Sequence, residues 1–281
     1  MYILVILAAL LFAVNFLFGQ MYQKICGDGL QAAALSSTIG SLISIVYMLI
    51  LGGFRLQFTW FSLLMALLFS LNGFASLYCG LKAFKTADLS LYSVFMMLGG
   101  MIIPFMYGII FVNEALTIGK ILCVLFIVAS IVFTYEKGKS SKKAYFFYFA
   151  IFILNGTVGI LETAHQNATL PIVNSTSFIA MQSMFSFVIA SIILITKRKS
   201  IPRVTPRVIG IIGGSVALSS VASLLSLVGI KVIPASIHFC IITGGVMVFS
   251  TVISLLSKEK LSYKTFISTG LALVATVLVM L

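Results

Sequence analysis

The chain has 281 residues, of which 61% are apolar and only 9% charged, where a soluble domain runs nearer about one half and one quarter. That composition excludes a water-soluble globular enzyme, and ten bilayer crossings of about 20 residues each leave only about 80 residues for every connection together, too few for a separate soluble domain. The 18 Lys and Arg against 6 Asp and Glu give a net charge of +12, but these cations lie in short segments between apolar runs, which points to orientation in a membrane rather than to nucleic acid.

Ten apolar runs of bilayer length follow one another: 2–21, 31–51, 58–79, 89–112 and 117–134, then 144–163, 173–195, 208–229, 234–256 and 262–281. The fold class expected is an all-α integral membrane protein of ten transmembrane helices. One basic linker, residues 136–143, separates a first five-helix unit, 1–135, from a second, 144–281. Trp60, Tyr2, Tyr22, Tyr135, Tyr145 and Tyr263 fall at run ends, where aromatic side chains anchor at the interface. The first run has no charged n-region and no convincing small-residue cleavage site, so a cleaved signal peptide is not expected. Summed over alternate loops, fifteen Lys and Arg lie on one side and Arg55, Lys120 and Lys231 on the other. The basic side is therefore predicted cytoplasmic and both termini outside.

Several short patterns recur at near-constant spacing. Gly99-Gly100 and Glu114-Ala115-Leu116 return as Gly244-Gly245 and Glu259-Lys260-Leu261, 145 residues later. Asn15 with Gly19 returns as Asn155 with Gly159, 140 residues later, and Ala75-Ser76-Leu77 as Ala222-Ser223-Leu224, 147 residues later. Units with an odd number of crossings insert in opposite orientations, so the expectation is an inverted repeat.

The segment Ala83-Phe84-Lys85-Thr86-Ala87-Asp88-Leu89-Ser90, continued by Gly99, Pro104, Asn113-Glu114-Ala115-Leu116 and Gly119, resembles the drug/metabolite transporter superfamily, in particular its EamA-like branch of two five-helix units. The second copy reads Gly229-Ile230-Lys231-Val232-Ile233-Pro234-Ala235-Ser236, then Gly244, Lys258-Glu259-Lys260-Leu261 and Gly270. The resemblance implies alternating-access transport of a small metabolite or amphipathic compound, often outward, in a plasma membrane of bacterial type. Two features depart from it. Members are expected to have cytoplasmic termini, against the loop charges here, and the second copy has Phe249 where the first has Pro104.

Polar groups inside the spans carry whatever chemistry there is, because each unpaired one is costly in hydrocarbon. Asn15, Asn72, Asn155, Gln182 and Ser219 fall near the midplanes, and with Tyr92 they are the candidate substrate-binding residues. The competing role is interhelical hydrogen bonding, worth about 0.6–2 kcal/mol each. Gly99, Gly100, Gly244 and Gly245 are candidates for either close packing or local helix breaks that expose backbone to a solute. Ser36, Gly40 and Ser44, like Ser215, Ser219 and Ser223, form small-residue seams expected to serve packing.

Glu162 and His238 are the ionisable residues within or beside the spans, both toward the outer ends of their helices, and are candidates for proton coupling or cation binding. Interfacial residues that simply reach water are the alternative. Glu114 and Glu259 precede Thr117 and Ser262 and are read as structural charges at the starts of the helices that follow. Cys26, Cys79, Cys123 and Cys240 have no metal or redox spacing, no phosphate-binding loop is present, and His165 and His238 form no protease motif. Asn167 and Asn174 begin glycosylation-type triplets in a predicted outer loop. The expected protein is thus a secondary transporter, not an enzyme, with no cofactor or metal. Its partners are the lipid bilayer, a small solute and protons, with no nucleic acid. The alternative is a non-transporting scaffold or a lipid-carrier accessory or flippase protein.

Overall fold

The computed structural model describes residues 2–86, 89–134, 142–196, 201–256 and 263–278. Ten α-helices lie among them: α1 (Tyr2–Cys26), α2 (Leu30–Leu51), α3 (Trp60–Thr86), α4 (Leu89–Phe111), α5 (Ile118–Thr134), α6 (Lys142–Gln166), α7 (Ser175–Thr196), α8 (Pro206–Ile230), α9 (Ala235–Leu256) and α10 (Tyr263–Leu278). Seven of these, α1–α3 and α6–α9, are long and apolar enough on their described residues to cross a bilayer, the mark of an integral membrane protein; α4 and α5 supply shorter apolar stretches, Gly99–Phe111 and Ile118–Ser130. Helix is the form that satisfies every backbone N–H and C=O within one segment, which a bilayer demands.

Several helices outrun their apolar runs. α1 continues to Cys26, α3 to Thr86 and α6 to Gln166, since polar residues at a helix end extend it into the interface without entering hydrocarbon. Gly27 stops α1 in the left-handed region, φ +80°, with its N–H on the Gln23 carbonyl at 2.8 Å. α8 opens on Thr205, whose hydroxyl accepts from the Val208 N–H at 3.3 Å, with Pro206 at the first helical position. Asn174 does the same for α7, its side-chain carbonyl accepting from the Ser177 N–H at 2.8 Å. The second glycosylation-type triplet therefore begins with a helix cap.

α1 packs on α8 and α9, and α6 on α3 and α4, the same pattern with the two halves exchanged. α2 packs on α7, α5 on α10 and α4 on α9, each helix against its counterpart in the other half, while α3 with α7 mirrors α8 with α2. At one end of the bundle, the α2–α3 and α6–α7 connections join through Asn174 N–H on Gln57 Oε1 at 2.8 Å and Gln57 N–H on Ser177 Oγ at 3.0 Å. Ser62 at the start of α3 reaches His165 near the end of α6 at 2.9 Å, and the imidazole stacks on Phe178 with centroids 3.8 Å apart. At the other end, Asp28 and Lys82 pair at 3.3 Å. Val46, Ile50, Ile110, Leu125, Val188 and Ile192 point outward, an apolar surface suited to lipid tails rather than to water.

Candidate functional site

Six helices, α1, α3, α4, α6, α8 and α9, enclose a cavity of ≈ 450 Å³. Phe12, Phe16, Met96 and Phe239 supply apolar wall, and Asn15, Asn155, Glu162, Ser226 and Thr243 supply polar groups. The two asparagines predicted to share a cavity do so, one from each half. Asn155 donates its amide NH₂ to the Met96 carbonyl at 2.7 Å, and Asn15 accepts from the Ser215 hydroxyl at 2.6 Å. Both side chains are thereby held in a fixed orientation at the wall.

Glu162 and His238 are not interfacial residues reaching water: Glu162 is 7% exposed and His238 fully buried. Ser226 joins them, donating its hydroxyl to Glu162 Oε2 at 3.4 Å, with His238 Nε2 3.0 Å from the serine oxygen. Glu162 and Ser226 line the cavity. The imidazole lies behind them, edge-to-face with Phe239 at 5.0 Å and against Gly229, where an added Cβ would sit 3.3 Å from Nδ1. Nδ1 itself is buried and has no hydrogen-bond partner among the described residues. With Glu162 ionised, the serine donates to the carboxylate and Nε2–H donates to the serine. With Glu162 protonated, both bonds reverse and the proton of the imidazole stands on Nδ1. The three groups therefore form a hydrogen-bonded chain whose donors and acceptors exchange direction when Glu162, at the cavity wall, gains or loses a proton to the cavity.

The remaining candidates lie elsewhere. Asn72 is buried and donates to the Leu154 carbonyl at 2.9 Å, a bond between α3 and α6, and it is the adjacent Gly73 that lines the cavity. One residue is a rotation of about 100° on a helix, enough to turn the amide from the solute space to the helix contact. Gln182 and Ser219 do not line the cavity either: the Gln182 backbone carbonyl accepts from Ser70 at 2.7 Å, and Ser219 donates to Val216 within its own helix at 3.2 Å. The side chain of Tyr92 lies outside the described residues, as does Glu259.

The glycine pairs do not break their helices. α4 runs unbroken through Gly99 and Gly100, and α9 through Gly244 and Gly245. A Cβ at Gly99 would collide with the Phe152 carbonyl of α6, one at Gly100 with the Asn155 amide, and one at Gly245 would stand 2.8 Å from the Ala9 side chain of α1. They are close-contact positions that set how near α4 approaches α6 and α9 approaches α1.

Glu114 corrects a second expectation. Thr117 caps its own helix α5, accepting from the Lys120 N–H at 3.3 Å, whereas Glu114 reaches across to α9. It accepts from the Ala235 N–H at 2.6 Å and the Ser236 N–H at 3.2 Å, from the Ser236 hydroxyl, and from Lys120 Nζ at 3.2 Å. Asn113 in the left-handed region, φ +56°, and the absence of a side chain at Gly108 make room for this turn. Of the polar residues at the cavity wall, Ser226 and Thr243 went unforeseen. In sequence each is one more small hydroxyl among many within apolar helices, and only the phase shared by α6, α8 and α9 brings Ser226 between Glu162 and His238.

No family model matches the chain, and no curated protein matches it. Among solved structures, a crystal structure of a protein aligns with 98% of this chain and 94% of its own, at a TM-score of 0.75 and 15% identity. At that identity the likeness is one of fold, and it extends over the whole ten-helix arrangement.

Proposed function

We propose that the chain is a ten-span secondary transporter that carries a small metabolite or amphipathic compound by alternating access between two inverted five-helix halves, 1–135 and 144–281. The cavity of ≈ 450 Å³ lined from both halves by Asn15 and Asn155, with a carboxyl at its wall, carries this reading. A scaffold has no need of a cavity with polar groups at its wall, whereas a solute site does. The exchange of helix contacts between the halves supports the inverted repeat. The glycine contacts at Gly99 and Gly245 are the kind of smooth seam on which one half can rock against the other.

Within this reading, the free edges of the Asn15 and Asn155 amides orient the solute, and Glu162, Ser226 and His238 handle the coupling proton. The test of the solute site is thermal unfolding of the purified protein with amino acids, purines, polyamines and cationic dyes. A ligand at 100 times its Kd stabilises by about 2.7 kcal/mol, and the shift with one chemical class is expected to vanish in Asn155→Ala. No shift with any class counts against a solute site. For the proton, uptake into proteoliposomes measured across pH is expected to lose its pH dependence in Glu162→Gln, which preserves the shape and removes the ionisable group. An unaltered pH profile removes Glu162 from coupling.

A further inference from the structure

A second cavity, of ≈ 170 Å³, adjoins the first, and Asn15 and Phe16 line both. The central cavity draws on the segments of α6 and α8 nearest the α6–α7 and α8–α9 connections. The second lies toward the opposite end, beside Tyr22 near the close of α1 and Ser215 in the first turns of α8. The two chambers therefore follow one another along the bundle, and the bond from Ser215 to Asn15, 2.6 Å, stands between them.

Tyr22, Ser36, Ser76, Ser215 and Asn15 are among the residues that line the second chamber, and no charged residue is. The Tyr22 hydroxyl donates to the Ala32 carbonyl at 2.6 Å and the Ser215 hydroxyl to Asn15, so toward the chamber these oxygens offer lone pairs to a polar occupant. The repeated sequence pattern gains a meaning here. Asn15 and Gly19 line the second chamber as Asn155 and Gly159 line the first, and Tyr22 follows Asn15 at the spacing with which Glu162 follows Asn155. On α1 and α6 the two chambers thus share one pattern, with a phenol in the second where the first has a carboxyl.

We propose that this polar chamber is a second solute site on the same path, taking an uncharged polar group, bearing hydroxyl or amide, no larger than about five water molecules at roughly 30 Å³ each, with the Asn15–Ser215 bond as the partition between the sites. This rests on the transport reading above. The chemistry selects a neutral group because serine, tyrosine and asparagine donate and accept without a countercharge, and an ion entering the chamber would lose its hydration with no opposite charge to meet it.

Two glycines make the test. An added Cβ meets nothing within 4 Å at Gly19 or at Gly73, and the first lines the second chamber while the second lines the central cavity. Leucine at either position fills one chamber and leaves the other. In the full-length protein in phosphatidylcholine nanodiscs, with the four native cysteines replaced by alanine, Ser76→Cys is labelled with the neutral 2-hydroxyethyl, the cationic 2-trimethylammonioethyl and the anionic 2-sulfonatoethyl methanethiosulfonates. The neutral reagent is expected to react at least tenfold faster than either charged one. Adding Gly19→Leu is expected to slow it tenfold or more, and adding Gly73→Leu less than twofold. Where Gly19→Leu fails to fold, Gly19→Ala gives a smaller slowing in the same direction. Equal rates for the charged reagents overturn the neutral-group assignment, equal slowing by the two leucines overturns the partition, and no labelling in a protein of unchanged size and helicity overturns the site itself. Failure of the transport reading shows separately, as an absent ligand shift at the central cavity with this labelling pattern intact.

Discussion

At the scale of single residues, Glu114 ties two helices, α5 and α9, together. Its carboxylate meets two backbone N–H groups at the start of α9, a hydroxyl, and Lys120, whose side chain is 6% exposed. It serves at once as helix cap, partner to the positive end of the α9 dipole, and countercharge for a buried lysine. Glu114→Ala is therefore expected to lower stability by about 3–5 kcal/mol, the range for leaving one buried charge without its partner. Glu114→Gln, which keeps an acceptor for Ala235, is expected to cost less, and thermal unfolding of the two variants gives the order. Asn72 sits at the other extreme, with one interhelical bond to Leu154 and no place in the cavity. Asn72→Leu is expected to cost about 0.6–2 kcal/mol and to leave any ligand-induced shift unchanged, which sets it apart from Asn155→Ala. The sequence distinguishes these asparagines only through the repeat: Asn15 and Asn155 recur in register with a glycine four residues on, and both reach the cavity, whereas the 147-residue spacing of Ala75 and Ala222 sets Asn72 against Ser219, and Asn72 does not reach it. Glu114 was legible as structural but not as a partner of α9, because a contact between residues 121 positions apart leaves no trace in local spacing.

At the scale of helices, glycine marks two opposite situations that composition alone does not separate. Gly99 faces the backbone of α6 so closely that any side chain collides with Phe152, while Gly73 faces open space in the cavity. Gly99→Ala is expected to force α4 away from α6 and lower the thermal midpoint markedly. Gly73→Ala is expected to be neutral or stabilising by up to about 1 kcal/mol, the gain in helix propensity. If the two substitutions behave alike, the close α4–α6 contact is wrong. The helices were readable from their apolar runs, because a bilayer permits little else in such segments. Their ends were not: α3 and α6 carry on past the apolar residues into polar ones, where propensity and interface chemistry, not hydrophobicity, decide the last turn. The continuity of α4 and α9 through their glycine pairs was equally hidden, since close packing and local unwinding ask for the same residue.

At the scale of the whole molecule, the arrangement of connections sharpens the charge argument for orientation. The α2–α3, α6–α7 and α8–α9 connections gather at the end where Glu162 and His165 lie, and Val5 near the start of α1 packs on Gly229 there. Of the cations at that end, Lys120 is buried and paired with Glu114, so Arg55 and Lys231 alone stand exposed to a membrane surface. The other fifteen Lys and Arg fall, by sequence, in the segments assigned to the opposite side, an excess of the kind that favours cytoplasmic loops. The orientation we propose, termini outside and the carboxyl-bearing cavity toward the outside, is the reverse of what the family resemblance implies. It is checked without altering any charge by placing single cysteines at Thr169, exposed in the α6–α7 connection, and at Val204, exposed before α8, in a chain freed of its native cysteines. A membrane-impermeant maleimide is expected to label Thr169→Cys in intact cells and Val204→Cys only after lysis. The opposite pattern reverses the orientation and turns the Glu162 chamber toward the cytoplasm, so that the proton would be taken up or released on that side. Labelling of both in intact cells would mean that the two halves insert either way, which fifteen charges against two oppose.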